Sequence, residues 1–272
     1  MAVQARAGAQ TKRLTLDDVD LEYYEAGSGP PLISLHGMLE LPRWQDYHQA
    51  LAQRFRVIAP SHPGFGSSSR PNWMEGIDDL AYFYLDLIDH LKLDQVRLLG
   101  HSFGAWLAAE VAIRDPGSIA KLVLVDAVGI RPSDDPVGPP GGWIADWLVL
   151  EPEALRAKAW HDSSTGDRLK LPAEEATSEA ELMEIMANRR AATVFGWRPF
   201  FYNPRLRQWL HRIKAPTLVV WGEHDGVVPR AVGQAYADGI PGARLVTMPG
   251  SAHLPHLEQP EEFARLAGDF LA

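Results

Sequence analysis

The chain has 272 residues, 46% of them hydrophobic, a formal net charge of -9 and no cysteine. That length can bury a sizeable core, either as one large α/β domain or as a domain with an insertion. The acidic balance and the lack of a Lys/Arg cluster speak against a nucleic-acid partner, and the missing cysteines exclude disulfides, thiol nucleophiles and cysteine-based metal sites. The longest apolar runs are too short to span a bilayer, and Met1 to Arg13 lacks the apolar core of a signal peptide, so the expectation is a cytoplasmic protein.

Short apolar segments alternate along the chain with helical patterns, which predicts an α/β fold with a mostly parallel central sheet and helices on both faces. Strands are expected at Arg13-Leu16 and Leu21-Tyr24, as an antiparallel pair before Gly27. Next come Leu32-Leu35, ending in His36-Gly37-Met38, and Arg56-Ala59, ending in Pro60 and the glycine-rich Pro63-Gly64-Phe65-Gly66. The stripe Leu80, Tyr84, Leu87 and Leu91 predicts a helix over 80–91. Val96-Leu99 is a strand, a helix runs on from Ala105, and Lys121-Val125 is a strand ending in Asp126.

There the alternation breaks. From Arg131 to Lys214 the chain has a Pro/Gly-rich entry and then amphipathic helical stretches, with nothing resembling a central strand. Strands return at Thr217-Trp221 and Arg244-Thr247, and a last helix spans Pro260 to Leu271. The expected organisation is a core of residues 1–130 and 215–272 with a helical lid insertion at 131–214, lying where ligands bind in open α/β sheets.

Between the strand Val96-Leu99 and the following helix stands Gly100-His101-Ser102-Phe103-Gly104. In a G-x-S-x-G turn the glycines remove Cβ atoms that would clash at a sharp bend, leaving the serine strained and its hydroxyl exposed over a helix N-terminus. Taken with His36-Gly37, Gly222-Glu223-His224-Asp225 and Gly250-x-x-His253, in this order, the pattern resembles the α/β-hydrolase family from about residue 20 to the C-terminus. The run His253-x-x-x-x-Glu258-x-Pro260 resembles that family's C-terminal signature.

The resemblance implies a nucleophile, acid and histidine in that chain order. A serine hydroxyl is a poor nucleophile at neutral pH, so an imidazole must take its proton, and a carboxylate must hold the imidazole. Ser102 is the nucleophile and His253, in a loop softened by Gly250, Ser251 and Ala252, is the base. Asp225 is preferred as the acid because it follows a strand in a loop bounded by Gly222 and Gly226; Asp126, at the end of the neighbouring strand, is the rival. His62, His161, His211 and His256 are expected to be surface or packing residues. By resemblance, the backbone N–H groups of Phe103 and Met38 form the oxyanion hole, and His36 and Gly37 shape its loop. Ser61 stands where the family usually has an aspartate that braces a loop, and a serine at 102 disfavours the aspartate-dependent dehalogenases and epoxide hydrolases of this fold.

For the substrate pocket the candidates are Trp143, Trp147, Trp197 and Phe201; Trp197 and Phe201, four apart, could form one helix stripe. A single Met38 after His36-Gly37 resembles members acting on ordinary esters. The expected function is therefore a carboxylesterase-type serine hydrolase acting on a small to medium hydrophobic ester. Carbon–carbon bond hydrolysis of ring-cleavage products, lactone hydrolysis, cofactor-free perhydrolysis and a ligand sensor that keeps the triad are the alternatives. The ring-cleavage hydrolases usually carry a glycine-proline-glycine sequence that His36-Gly37-Met38-Leu39-Glu40 lacks. No cofactor and no metal is implied, since His253-x-x-His256 has no further ligands at suitable spacing. A homodimer remains open.

Overall fold

A computed structural model describes residues 8–133, 143–147, 149–162, 178–197 and 199–272. Eight strands form one sheet in the order β1-β2-β4-β3-β5-β6-β7-β8. They are β1 (Gln10–Leu16), β2 (Val19–Ala26), β3 (Pro31–Leu35), β4 (Arg56–Pro60), β5 (Val96–His101), β6 (Ile119–Val125), β7 (Thr217–Gly222) and β8 (Arg244–Met248). The hairpin β1-β2 and the pair β2-β4 are antiparallel, and every pair from β3 onward is parallel.

Parallel strands covered on both faces need apolar side chains on both faces, and the central strands supply them alternately. In β6, Leu122 and Leu124 enter one core while Val123 and Val125 enter the other; in β7, Val219 and Trp221 face the first and Leu218 and Val220 the second. Each such side chain contributes about 1.5–3 kcal/mol when fully buried. Helices α2 (Ile77–His90) and α3 (Phe103–Arg114) cover the first face. Helix α1 (Asp46–Leu51) and the C-terminal helix Pro260–Leu271 cover the second, with Tyr47, Leu51, Phe263 and Leu271 wholly buried.

Helix α2 starts three residues before its apolar stripe because the Asp79 carboxylate reaches back to accept from the N–H groups of Glu75 (2.8 Å) and Gly76 (3.0 Å). These donors lie at a helix start, where the helix itself offers no acceptor.

Between β6 and β7 lie α4 (Pro152–Ala159), α5 (Glu179–Gly196) and a short α6 (Leu206–Trp209). Among the described residues this stretch adds no strand to the sheet, only the isolated bridge Gly129–Tyr202. Its polar contacts reach loops that follow successive strands. Asn188 on α5 accepts from Gly66 N (2.8 Å), Glu184 pairs with Arg43 (3.0 Å), and the carbonyls of Lys158 and Ala159 accept from Gly226 N (3.0 Å) and His253 N (3.1 Å). The stretch therefore meets the body along the C-terminal edge of the sheet. Beyond it follow α7 (Arg230–Gly239), α8 (Pro255–Glu258) and the C-terminal helix, α9 (Pro260–Leu271).

Candidate active site

Parallel register brings the ends of β5, β6 and β7 side by side: His101 pairs with Val125, and Val125 with Val220. Chain reversals after these strands, and the loop after β8, carry the polar groups. At the end of β5 the backbone turns through Ser102 with φ 51° and ψ -109°, far from the ordinary regions for a residue with a side chain. The glycines permit it. A Cβ on Gly100 would lie 2.3 Å from the Gly104 carbonyl oxygen, and one on Gly104 would lie 2.1 Å from that of Leu35.

The turn leaves Ser102 Oγ 3.0 Å from His253 Nε2. His253 Nδ1 lies 2.9 Å from Asp225 Oδ2, and the other oxygen of Asp225 accepts from the N–H groups of Val227 (2.8 Å) and Val228 (2.9 Å). The side chains of His253 and Asp225 are each 1% exposed, and Ser102 is 7% exposed. With a carboxylate on Nδ1, the neutral imidazole carries its proton there and offers the Nε2 lone pair to the hydroxyl, which is the arrangement a general base needs. Phe103 is the first residue of α3, so its N–H lies outside the helix's own ladder.

Asp126 does not hold the imidazole. It is wholly buried, its Oδ1 accepts from Gly222 N (2.8 Å), and its Oδ2 has no hydrogen-bond partner. Burial, with the Asp225 carboxylate beside it, pushes the Asp126 carboxyl well above the usual carboxylate range.

His36 is a buried strut. Its Nδ1 donates to the Gly37 carbonyl (2.7 Å) and its Nε2 accepts from His62 N (3.0 Å). His62 lies buried against it, bonded through Nε2 to the His36 carbonyl (3.0 Å) and through Nδ1 to the Tyr84 hydroxyl (2.6 Å). Burial lowers the pKa of both imidazoles. Glu258 ties the histidine loop down, accepting from Ala252 N (2.7 Å) and His161 N (2.7 Å).

Sequence reasoning missed a second polar set behind these groups. Glu40 is buried, and its Oε1 accepts from Gly37 N (2.6 Å) and faces His101 Nδ1 (3.2 Å), while its Oε2 meets His256 Nε2 (3.1 Å). His101 Nε2 donates to the His253 carbonyl (2.7 Å). The available signal was a histidine inside the tight G-x-S-x-G turn, where a neutral small residue would pack more simply.

The aromatic candidates scatter. Phe201 is buried and packs on Trp147 with ring centroids 5.4 Å apart, and Trp143 is half-buried. Trp197 is 48% exposed and lines a cavity of about 590 Å³ with Trp106, Phe195 and Tyr202, a cavity whose lining does not include Ser102. Trp197 and Phe201, four apart, do not share a helix stripe: α5 ends at Gly196, and Phe201 follows with φ 51°. Arg189 and Arg190, the charged side chains of α5 that an acidic substrate would call on, are both exposed.

The model of the alpha/beta hydrolase fold family matches residues 30–260, and the chain belongs to that family. It is 28% identical over 268 residues to 2-hydroxy-6-oxo-2,4-heptadienoate hydrolase of Pseudomonas putida, with 93% of each chain covered. Among solved structures, a membrane phospholipase A described as a bacterial virulence factor superposes with a TM-score of 0.80 at 26% identity, covering 97% of this chain and 86% of that one. A meta-cleavage product hydrolase from Pseudomonas fluorescens shares the fold with a TM-score of 0.76 at 23% identity, covering 95% of this chain and 96% of that one. Among the described residues no helix is long and apolar enough to cross a membrane.

Proposed function

We propose that this chain is a serine hydrolase that cleaves small to medium hydrophobic carboxylic esters through an acyl-enzyme on Ser102. The observation that carries the reading is the chain of contacts from Ser102 Oγ to His253 Nε2 (3.0 Å) and from His253 Nδ1 to Asp225 Oδ2 (2.9 Å). His253 takes the hydroxyl proton as Oγ bonds to the ester carbonyl carbon, and the negative charge moves to the carbonyl oxygen. The N–H groups of Phe103 and Met38 hold that oxyanion, each worth about 2.7–4 kcal/mol in the transition state. On collapse the C–O bond to the alcohol breaks, and the imidazolium gives its proton to the leaving oxygen. Water then repeats the sequence on the acyl-enzyme and releases the acid. Asp225 orients the imidazole and stabilises its charged form.

Residues 131–214 act in this reading as a lid, because Lys158, Ala159 and Asn188, among the described residues, bond to the loops bearing Gly226, His253 and Gly66. Of the four aromatic candidates for the pocket, Trp147 and Phe201 pack on each other and Trp197 lines a cavity without Ser102. A second reading, hydrolysis of a carbon–carbon bond in a ring-cleavage product, is favoured by the name of the Pseudomonas putida relative. The loop His36-Gly37-Met38-Leu39-Glu40 and the exposed positions of Arg189 and Arg190 favour the neutral ester.

The test is turnover of p-nitrophenyl esters of increasing acyl length beside a 2-hydroxy-6-oxo-dienoate, with Ser102→Ala as the control. Sustained ester turnover that vanishes in Ser102→Ala is the expected result, and the best chain length sizes the pocket. Turnover of the dienoate alone moves the assignment to the second reading.

A further inference from the structure

Four loops supply the groups assigned above, and one of them, after β7, carries Asp225; the other three are the oxyanion loop after β3, the turn after β5 and the histidine loop after β8. All three bond to the buried pair Glu40 and His101. Glu40 Oε1 accepts from Gly37 N, the amide next to Met38, at 2.6 Å. His101 directly precedes Ser102 and donates from Nε2 to the carbonyl of His253 at 2.7 Å. Glu40 Oε2 meets His256 Nε2, three residues beyond His253, at 3.1 Å.

Proton accounting at the pair is restrictive. A carbonyl oxygen only accepts, so His101 Nε2 must carry a hydrogen. A neutral His101 would then have a lone pair on Nδ1, facing Glu40 Oε1 at 3.2 Å across a fully buried contact. Two lone pairs at that distance repel, and no choice of tautomer at His256 changes it. Burial and the neighbouring His256 pull His101 down to about 4, with the Glu40 carboxylate opposing them; that tendency conflicts with the two bonds His101 makes. The remaining groups that face the pair are His48 and Tyr47 from α1, His36 from the end of β3, and His253. None of them supplies a hydrogen to the contact between Oε1 and Nδ1, and Glu40 has none to give: burial would raise its pKa, but His256 and His101 hold the carboxyl well below the usual carboxylate range.

We propose that Glu40 is the positioning residue of this site: its buried carboxylate faces a proton on His101 Nδ1, and the resulting ion pair keeps the oxyanion loop, the Ser102 turn and the His253 loop in register. The proposal rests on the reading of Ser102 as nucleophile. A buried carboxylate and imidazolium repel nothing once paired and hydrogen-bonded, whereas removing one charge leaves the other stranded. An amide at position 40 keeps the shape and the acceptor for Gly37, yet removes the carboxylate that holds the proton on His101 Nδ1, so that proton and the contact it makes are lost.

Glu40→Gln is therefore expected to lower kcat about 10- to 100-fold per active site counted by phosphonate labelling of Ser102, with KM unchanged within about two-fold. Affinity for an arylboronic acid, which forms a tetrahedral adduct on Ser102, should weaken by the same factor. His256→Asn, which removes one donor from Glu40 and leaves its contacts with Gly37 and His101, should fall between wild type and Glu40→Gln. A folded Glu40→Gln protein that melts lower but keeps kcat and boronate affinity overturns the proposal in favour of a purely structural role. If Glu40→Gln does not fold, ¹⁵N-histidine spectra of the wild-type protein decide: both ring nitrogens of His101 protonated through neutral pH is expected, and a bare Nδ1 overturns it. Ser102→Ala run alongside separates a failure of this proposal from a failure of the nucleophile assignment.

Discussion

Asp126 and Asp225 follow neighbouring strands and lie close enough to share an environment, but they play opposite parts. Asp225 has three donors for its two oxygens, one of them the His253 ring. Asp126 has one donor and an oxygen without a partner, and burial, with the Asp225 carboxylate beside it, pushes its carboxyl well above the usual carboxylate range. Asp225→Asn should lower kcat/KM by about 10⁴, because an amide no longer selects the tautomer that leaves Nε2 free. Asp126→Asn should keep near-wild-type kcat/KM and also gain stability. The folded chain retains a proton on Asp126 that the unfolded chain releases above about pH 3.9, so wild-type stability falls as pH rises beyond that point, by at most ~1.4 kcal/mol per pH unit. Asparagine has no such loss. Melting temperatures of the two proteins should diverge upward from about pH 4, and parallel curves, or a collapse of activity in Asp126→Asn, contradict the assignment. That His253 and not His256 meets Ser102 was readable from the loop between the last strand and the last helix. Glu40 and His101 were not, because their meaning lies in contacts between residues 61 apart that no local pattern carries.

At the level of elements, the central strands were plain because burial on both faces writes them as unbroken apolar runs, and α9 matches its expected span of Pro260–Leu271. The β1-β2 hairpin was expected and is present, although β1 is largely exposed, because its alternation survives at Arg13-Leu14-Thr15-Leu16. The start of α2 was missed because a side chain, Asp79, moves it. Helix α1 has six residues, fewer than two turns, and leaves too little periodicity to detect. Helix α7 was passed over although Val232 and Tyr236 repeat four apart, since Gly233 and Gly239 weaken the helical pattern. Between β6 and β7 the stripe argument failed: exposed Leu182, Met183 and Met186 lie on α5, and Trp197 just after it, so apolar spacing there does not mark the buried side. The expected limits of the lid, 131–214, include 134–142 and 163–177, which lie outside the described residues.

For the molecule as a whole, buried imidazoles set the response to acid. His36, His48 and His62 are buried, and burial is the chief cause that lowers their pKa values, His48 to about 3. The unfolded chain takes up protons on these side chains near pH 6.5 while the folded chain does not, so stability is full above that pH and is lost as pH falls toward the folded values. Three such groups give a slope of up to roughly 4 kcal/mol per pH unit. The urea midpoint should therefore drop steeply between about pH 6.5 and pH 5, and a flat profile contradicts the burial of these rings in neutral form. The left-handed backbone at Ser102 has a consequence of another kind. Any residue with a Cβ is penalised there, and glycine is not, by about 1 kcal/mol. Ser102→Gly should then melt above both the wild type and Ser102→Ala in differential scanning calorimetry, and equal melting temperatures would show that the bend costs nothing. A serine at this bend is therefore held against the chain's own stability, a cost that the proposed role of its hydroxyl would explain.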